Sequence, residues 1–386
     1  MSTEALTQVR IQQISDNPKL AWMENRPFFI PHSVLEKNDL AKYLDTEGNL
    51  AIPTGKFNVS PKASEILRLH AAFTDQKPIS SRLPFSYQKI PSRIRSWVAS
   101  IIGRWQRQKM NRWCVFPRWP LDLSADCLAD LMIGYPPSPF KEKPTPVILT
   151  HDLDSAEGLK NLVRWFLKIE ESVGARSTNY IVPCSWPIEH DLLRQVKDRG
   201  NEIGIHGYDH SNKTPFCEPV ERRNRLEAAR ELIEKYDIIG YRAPSLLRTR
   251  GLLQDLANFY HYDSSIPTSG GLFPVPNNGC ASARPFFIEG IFELPLSMPR
   301  DGSLLVLGYS PEEIFNLWVR CAEDISRSGG VVVLLTHCEA RFSGNPTMLK
   351  VYQRFLEFIA SSNRFIWSSP KEVLDRIEKV IGNKNE

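Results

Sequence analysis

From residue 147 onward the chain alternates short apolar runs with longer stretches of helical periodicity. Val147-Ile148-Leu149-Thr150, bounded by Pro144-Thr145-Pro146, reads as a short buried strand. Residues 156–173 follow, with Leu159, Leu162, Val163, Trp165, Phe166 and Ile169 at helical spacing and Gly174 as the stop. The pattern then predicts a strand over 177–182, a helix over 192–198, a strand over 202–205, a helix over 218–236 and a strand over 238–242. Ser310-Pro311-Glu312-Glu313 combines a capping serine, proline at the first helical position and acids in the first turn. That helix ends at Gly329-Gly330 and feeds the continuous apolar run 331–335; a short run at 365–367 and a helix over 370–381 close the chain. Strand–helix alternation of this length implies a parallel sheet, with closure into a barrel favoured and functional groups on the loops that follow the strands.

Residues 1–140 behave differently. They are broken by prolines and show no βα alternation, which divides the chain into an N-terminal extension (1–140) and a regular α/β domain (141–386). Between Asp75 and Asp122 there are ten Lys or Arg and no acids. Within that stretch Ile94, Trp97, Val98, Ile101, Ile102 and Trp105 form one apolar helix face, flanked by Arg93, Arg95, Arg104, Arg107 and Lys109. Two readings follow: a weak peripheral contact with anionic lipid or a polyanionic glycan through residues 93–113, or a helix packed on the α/β domain with solvated arginines. The second is the simpler. Trp113, Phe116, Trp119 and Pro120 just beyond are placed to dock onto the barrel or roof its cleft.

Composition narrows the classes. Apolar content of 42% and charged content of 24% are those of a water-soluble globular protein, and a net charge of +4 gives no case for nucleic acid. No window approaches the roughly 18 apolar residues of a membrane span. The first residues lack the basic start and apolar run of a secretory signal, so a cytoplasmic protein is expected. Seven scattered cysteines without a CxxC pair suit reduced thiols better than a disulfide framework.

Candidate chemistry gathers at strand ends. Asp152 and Asp154 stand two residues apart after the first strand, and His206 and His210 follow the run Ile203-Gly204-Ile205. Carboxylates and imidazoles so placed suit a hydrolytic metal site, in which one carboxylate holds the ion while another takes a proton. Two histidines four residues apart share one side of a helical turn and so reach one ion. Further on come Tyr241-Arg242-Ala243-Pro244-Ser245, Tyr262-Asp263-Ser264-Ser265 and Leu334-Leu335-Thr336-His337, the last at the end of the most apolar strand. His151 has no evident role beyond an extra ligand or a supporting contact; Glu293 and Glu339 read as structural.

These five motifs, in this order, resemble those of the polysaccharide deacetylase superfamily (carbohydrate esterase family 4), over roughly residues 147–370. The resemblance implies an α/β distorted (β/α) barrel. It implies Asp152 as general base, Asp154, His206 and His210 as metal ligands, and Arg242 as the partner that lowers the pKa of Asp152. It implies His337 as general acid, Asp263 as the carboxylate holding that imidazole, and the backbone N–H of Ser245 as an oxyanion donor. The one-residue spacing of the two acids in the first motif resembles that of one branch of the family. Two departures stand out: Gly207 in place of the usual Ser or Thr, and Ser245 where an aromatic is common. The implied activity is metal-dependent removal of an N-acyl group, acetyl first, from a sugar or glycan precursor. Hydrolysis of another non-peptide C–N amide and a non-catalytic glycan- or partner-binding role are the alternatives. Zn²⁺ is the first choice of metal, with Co²⁺ and Ni²⁺ also suited to N/O ligands.

Overall fold

The computed structural model describes residues 4–12, 20–51, 59–60, 62–83, 90–131, 138–141, 143–270 and 277–382. Strands β1 (Leu6–Ile11), β2 (Pro27–Pro31) and β3 (Asn49–Leu50) form a small sheet in the order β2-β1-β3. The large sheet is built from β4 (Thr145–Leu153), β5 (Ser177–Ile181), β6 (Glu202–His206), β7 (Gly240–Arg242), β8 (Tyr262–Asp263), β9 (Phe286–Ile288), β10 (Ile291–Glu293), β11 (Val332–His337) and β12 (Phe365–Trp367). Its order is β11-β4-β5-β6-β7-β8-β10-β9, with β12 against the start of β4. Every pair is parallel except β9 with β10.

The sheet curls until its two sides meet. Beyond β10, Met298 donates its backbone N–H to Val333 (3.1 Å). The Ser297 hydroxyl donates to the Val331 carbonyl (2.7 Å) and accepts from the Val333 N–H (2.8 Å). The expected distorted (β/α) barrel is the fold, sealed here by a serine and one backbone bond rather than by a regular strand pair. All residues of β4 and β11 are buried, which is why these strands read as continuous apolar runs.

Each element predicted in this region is observed, two of them in altered form, while the strands β8–β10 and the helices Arg250–Leu256, Asp301–Val306 and Pro346–Ala360 are additional to the predicted pattern. The helix expected over 156–173 contains a π-helical turn at Leu162–Phe166, which sets Phe166 5.0 Å from His151. The helix expected over 218–236 is broken into Pro219–Glu227 and Arg230–Tyr236.

The first 140 residues are not a separate ball. All eight residues of the helix Ser124–Leu131 are buried, and it accepts bonds from both sides: Phe29 N–H to Ser124 Oγ (2.9 Å) and Ala283 N–H to Asp126 (2.9 Å). Trp119 donates to the Tyr309 hydroxyl (3.3 Å) and so docks as expected, whereas Phe116 packs on Phe29 of β2 at 5.0 Å, within the N-terminal region rather than on the barrel. The basic helix Ser92–Gln108 does rest on the region that forms the barrel, but not through its apolar stripe. It lies on the helix Asp301–Val306 at Gly103, where a Cβ would sit 2.2 Å from the Val306 carbonyl oxygen. Arg107 ties it down through Gly308 O (2.8 Å) and Glu313 (2.7 Å). Ile94, Trp97, Val98, Ile101 and Trp105 are left 42–66% exposed. The glycine lets the backbone approach closely, and that contact turns the stripe outward. The side chains of Arg93 and Trp113 lie outside the described residues. No described helix is long and apolar enough to cross a membrane.

Candidate active site

The C-terminal ends of β4, β6, β7 and β11 converge on one pocket. On β4, alternation puts Thr150 and Asp152 on one face and His151 on the other. Arg242, at the end of β7, is fully buried and all three of its nitrogens are engaged. Nη1 donates to Asp152 Oδ1 (3.0 Å) and Thr150 Oγ1 (2.9 Å), Nη2 to Ser264 Oγ (3.0 Å) and Nε to the Ser264 carbonyl (3.0 Å). Burial works against charge on Asp152, but His206, Arg242 and His337 outweigh it and hold the carboxyl below the usual range.

Asp154, His206 and His210 bring one ligand atom each within 4.8 Å of the others. His206 Nδ1 donates to the Arg242 carbonyl (3.0 Å), which leaves Nε2 as the lone-pair nitrogen facing Asp154 Oδ1 (3.7 Å) and Asp152 Oδ2 (3.6 Å). His210 Nε2 lies 3.1 Å from Asp154 Oδ1. Burial pushes the His206 imidazole down to about 4, the neutral form a ligand needs. Among the described residues His206 Nε2 and Asp154 Oδ1 are buried without a hydrogen-bond partner. Such orphaned, mutually facing atoms are costly without a cation between them, so the residues fit a divalent metal.

The two histidines do not share a helical turn. The chain leaves β6 through Gly207 at φ 67° and reaches His210 at φ 56°, and this irregular loop brings the rings to 5.1 Å. A Cβ at Gly207 would stand 2.4 Å from the Pro244 ring. That contact accounts for glycine at this position. Ser245, next to that proline, is left-handed (φ 54°, ψ 16°), as is Leu246 (φ 57°). Two such residues in succession store strain of the kind found at ligand-facing loops.

His337 is held differently from the expectation. Its Nδ1 donates to Asp301 Oδ1 (2.7 Å) and its backbone N–H to Asp301 Oδ2 (2.8 Å). Burial opposes the imidazolium, Asp301 outweighs it, and the pKa is pushed up to about 9. Asp263 accepts instead from Ser265 Oγ (2.6 Å), which in turn accepts from the Ala243 N–H (2.8 Å). Asp263 therefore braces the Arg242–Ser245 loop, and the sequence assignment to His337 is corrected to Asp301. The reason is one of distance along the barrel: Asp263 pairs in register with Glu293 across β8 and β10, away from β11. Asp301 opens a short helix whose contact with His337 is non-local, and an acid opening a helix just after Met298-Pro299-Arg300 was the available signal.

His151 is no extra ligand. It is fully buried on the far face of β4, its Nε2 2.8 Å from Glu170 and its Nδ1 2.9 Å from the Thr336 hydroxyl, with Tyr352 also bonded to Glu170 (3.0 Å). Glu339, read from sequence as structural, is buried beside the pocket. It accepts from Ser155 Oγ (2.8 Å), and burial together with Asp154 pushes it up to about 7. Two residues of the extension region also reach this end: Asn212 donates to Ser80 Oγ (3.1 Å) and Thr74 N–H to the Arg248 carbonyl (2.7 Å).

Residues 141–259 match the family model described as polysaccharide deacetylase. The match spans the first three motifs. Among solved structures, a Mycobacterium smegmatis protein described as a polysaccharide deacetylase shares 20% identity, covering 64% of this chain and 93% of its own at a TM-score of 0.50. A Pseudomonas aeruginosa PAO1 protein, also described as a polysaccharide deacetylase, shares 15% identity over 68% of this chain and 98% of its own at a TM-score of 0.48. The Puue allantoinase shares 17% identity over 67% and 97% of the two chains at a TM-score of 0.47. No curated protein matches the chain.

Proposed function

We propose that this protein is a metal-dependent hydrolase that removes an N-acyl group, acetyl in the first instance, from a sugar or glycan precursor. The observation that carries the reading is a buried His–His–Asp cluster with orphaned ligand atoms. It lies beside a carboxylate held by Arg242 and an imidazole held by Asp301. Asp154, His206 and His210 would hold the ion, with Zn²⁺ favoured for two imidazoles and a carboxylate and Co²⁺ or Ni²⁺ as substitutes. Bound there, the ion supplies Lewis-acid polarisation of an acyl carbonyl.

The protein's own groups supply the proton movements. Asp152, ionised and fixed through Oδ1 by Arg242, offers Oδ2 as general base for an attacking water. His337 carries its proton at neutral pH and delivers it to the departing nitrogen, so the amine leaves neutral. The N–H of Ser245, in its strained turn, serves as oxyanion donor. Residues 141–386 form the catalytic unit, and 1–140 the extension that shores up the loop bearing His210.

The test is acetate release from N-acetylated sugars, nucleotide sugars and chito-oligosaccharides, comparing the wild type with Asp152→Asn and measuring bound metal. Metal-dependent release lost in the variant supports the reading. Stoichiometric metal without release from any of them moves the substrate to a different amide, and neither metal nor release leaves a binding protein.

A further inference from the structure

The loop after β11 places an arginine at the lip of the pocket. Arg341 Nη2 donates to Asp154 Oδ2 (3.3 Å), on the carboxylate oxygen turned away from the histidines. Its guanidinium lies 4.6 Å from the Phe342 ring centre, and Phe342 in turn packs 4.6 Å from the His337 ring. The loop is fastened on both sides. Ala340 N–H donates to Glu157 (3.0 Å), Ser343 Oγ to Asp301 (2.7 Å) and Ser343 N–H to the His337 carbonyl (3.1 Å). Arg341 is thus held in place, yet its side chain stays 30% exposed.

Charge balance gives it a task. Arg242 faces Asp152 and His337 faces Asp301, so each pair is compensated internally. Asp154 faces Arg341 on one oxygen and the ligand cluster on the other. A divalent cation in that cluster more than neutralises Asp154, and ionisation of Glu339 would offset only one of the charges then in excess. A fixed guanidinium with unused N–H donors at a site of surplus positive charge recognises a planar or tetrahedral oxyanion.

We propose that Arg341 binds an anionic substituent of the substrate, so that the acylated sugar carries a phosphate or a carboxylate near its N-acyl group. This deepens the proposed function and rests on that reading of the site.

The test is calorimetric binding to the zinc-loaded full chain. The probes are N-acetylglucosamine, its 1-phosphate and N-acetylglucosaminuronate, each with wild type, Arg341→Ala and Arg341→Lys. The wild type should bind one anionic probe about tenfold or more tighter than the neutral sugar, Arg341→Ala should lose that preference and Arg341→Lys should keep part of it. Which anionic probe gains decides between phosphate and carboxylate. Equal binding of all three, or no binding of any, overturns the proposal. So does a preference that survives in Arg341→Ala, which would put the anion on the metal. Loss of bound zinc in Arg341→Ala would also overturn it, making the residue a support for Asp154. Acetate release is read separately: anion preference without release sinks the deacylase reading alone, and release without preference sinks this proposal alone.

Discussion

Asp301 grips His337 at two atoms, the ring Nδ1–H through Oδ1 at 2.7 Å and the backbone N–H through Oδ2 at 2.8 Å. One carboxylate therefore fixes the imidazole's tautomer, its orientation and its charge. Asp301→Asn keeps the shape and removes the charge. The expected result is a loss of about 10²–10⁴-fold in turnover. In the wild type the alkaline limb of the pH–rate profile falls near the His337 value of about 9. In the variant it should move down toward the ordinary histidine range. The same shift has a stability consequence. His337 binds its proton more tightly folded than unfolded, so its contribution is complete below the unfolded value and lost as pH rises through about 9. Denaturation of both proteins at pH 6 and pH 10 should show the gap between them closing at the alkaline end.

The metal assignment is tested by content before activity. Asp154→Ala and His206→Ala each remove one of the orphaned atoms, so elemental analysis after zinc loading should fall from about one equivalent to far below it. In the wild type, zinc at about a hundred times its dissociation constant should stabilise the fold by about 2.7 kcal/mol, and a chelator should reverse the rise in Tm. Full metal content in Asp154→Ala would refute the ligand set.

Much of this site was readable in the chain because the relevant residues sit at strand ends. Asp152, His206, Arg242 and His337 each close a buried apolar run, so fold and position came from the same signal. What was not readable depends on contacts between distant segments. Asp301 meets His337 across 36 residues, and Arg341 meets Asp154 across 187. The apolar stripe of the helix Ser92–Gln108 is a further case: periodicity showed a face but not that Gly103 would turn it outward. The spacing of His206 and His210 suggested a helical turn, whereas Gly207 and the left-handed His210 make a loop that serves the same end.

Gly207 lends itself to a direct test against a control. Gly174 has a similar φ of 72°, but a Cβ there would meet nothing within 4 Å, whereas Gly207→Ala meets the Pro244 ring. Gly174→Ala should cost about 1 kcal/mol from backbone conformation alone. Gly207→Ala should cost roughly 1–3 kcal/mol and also weaken zinc binding, because relief of the clash moves the loop that carries His210 or the one that carries Ser245. Equal losses in the two variants, measured by chemical denaturation and zinc titration, would show that the Pro244 contact does not matter.

Asp263 and Glu293 give the last prediction, and it separates the two aspartates that the sequence had confused. Both carboxyls are buried side by side, and burial raises the pKa of Asp263 and, more strongly, that of Glu293. Each is harder to ionise folded than unfolded, so its stabilising effect is complete below the ordinary carboxyl range and declines as pH rises through the folded value. Asp263→Asn fixes one member neutral while leaving an acceptor for the Ser265 hydroxyl. Its stability should therefore fall less than the wild type's between pH 4 and pH 8, as read by denaturant midpoint. The alkaline limb of its pH–rate profile should stay where the wild type's lies, because His337 answers to Asp301. A limb displaced as far as in Asp301→Asn would return Asp263 to the role that the motif first suggested.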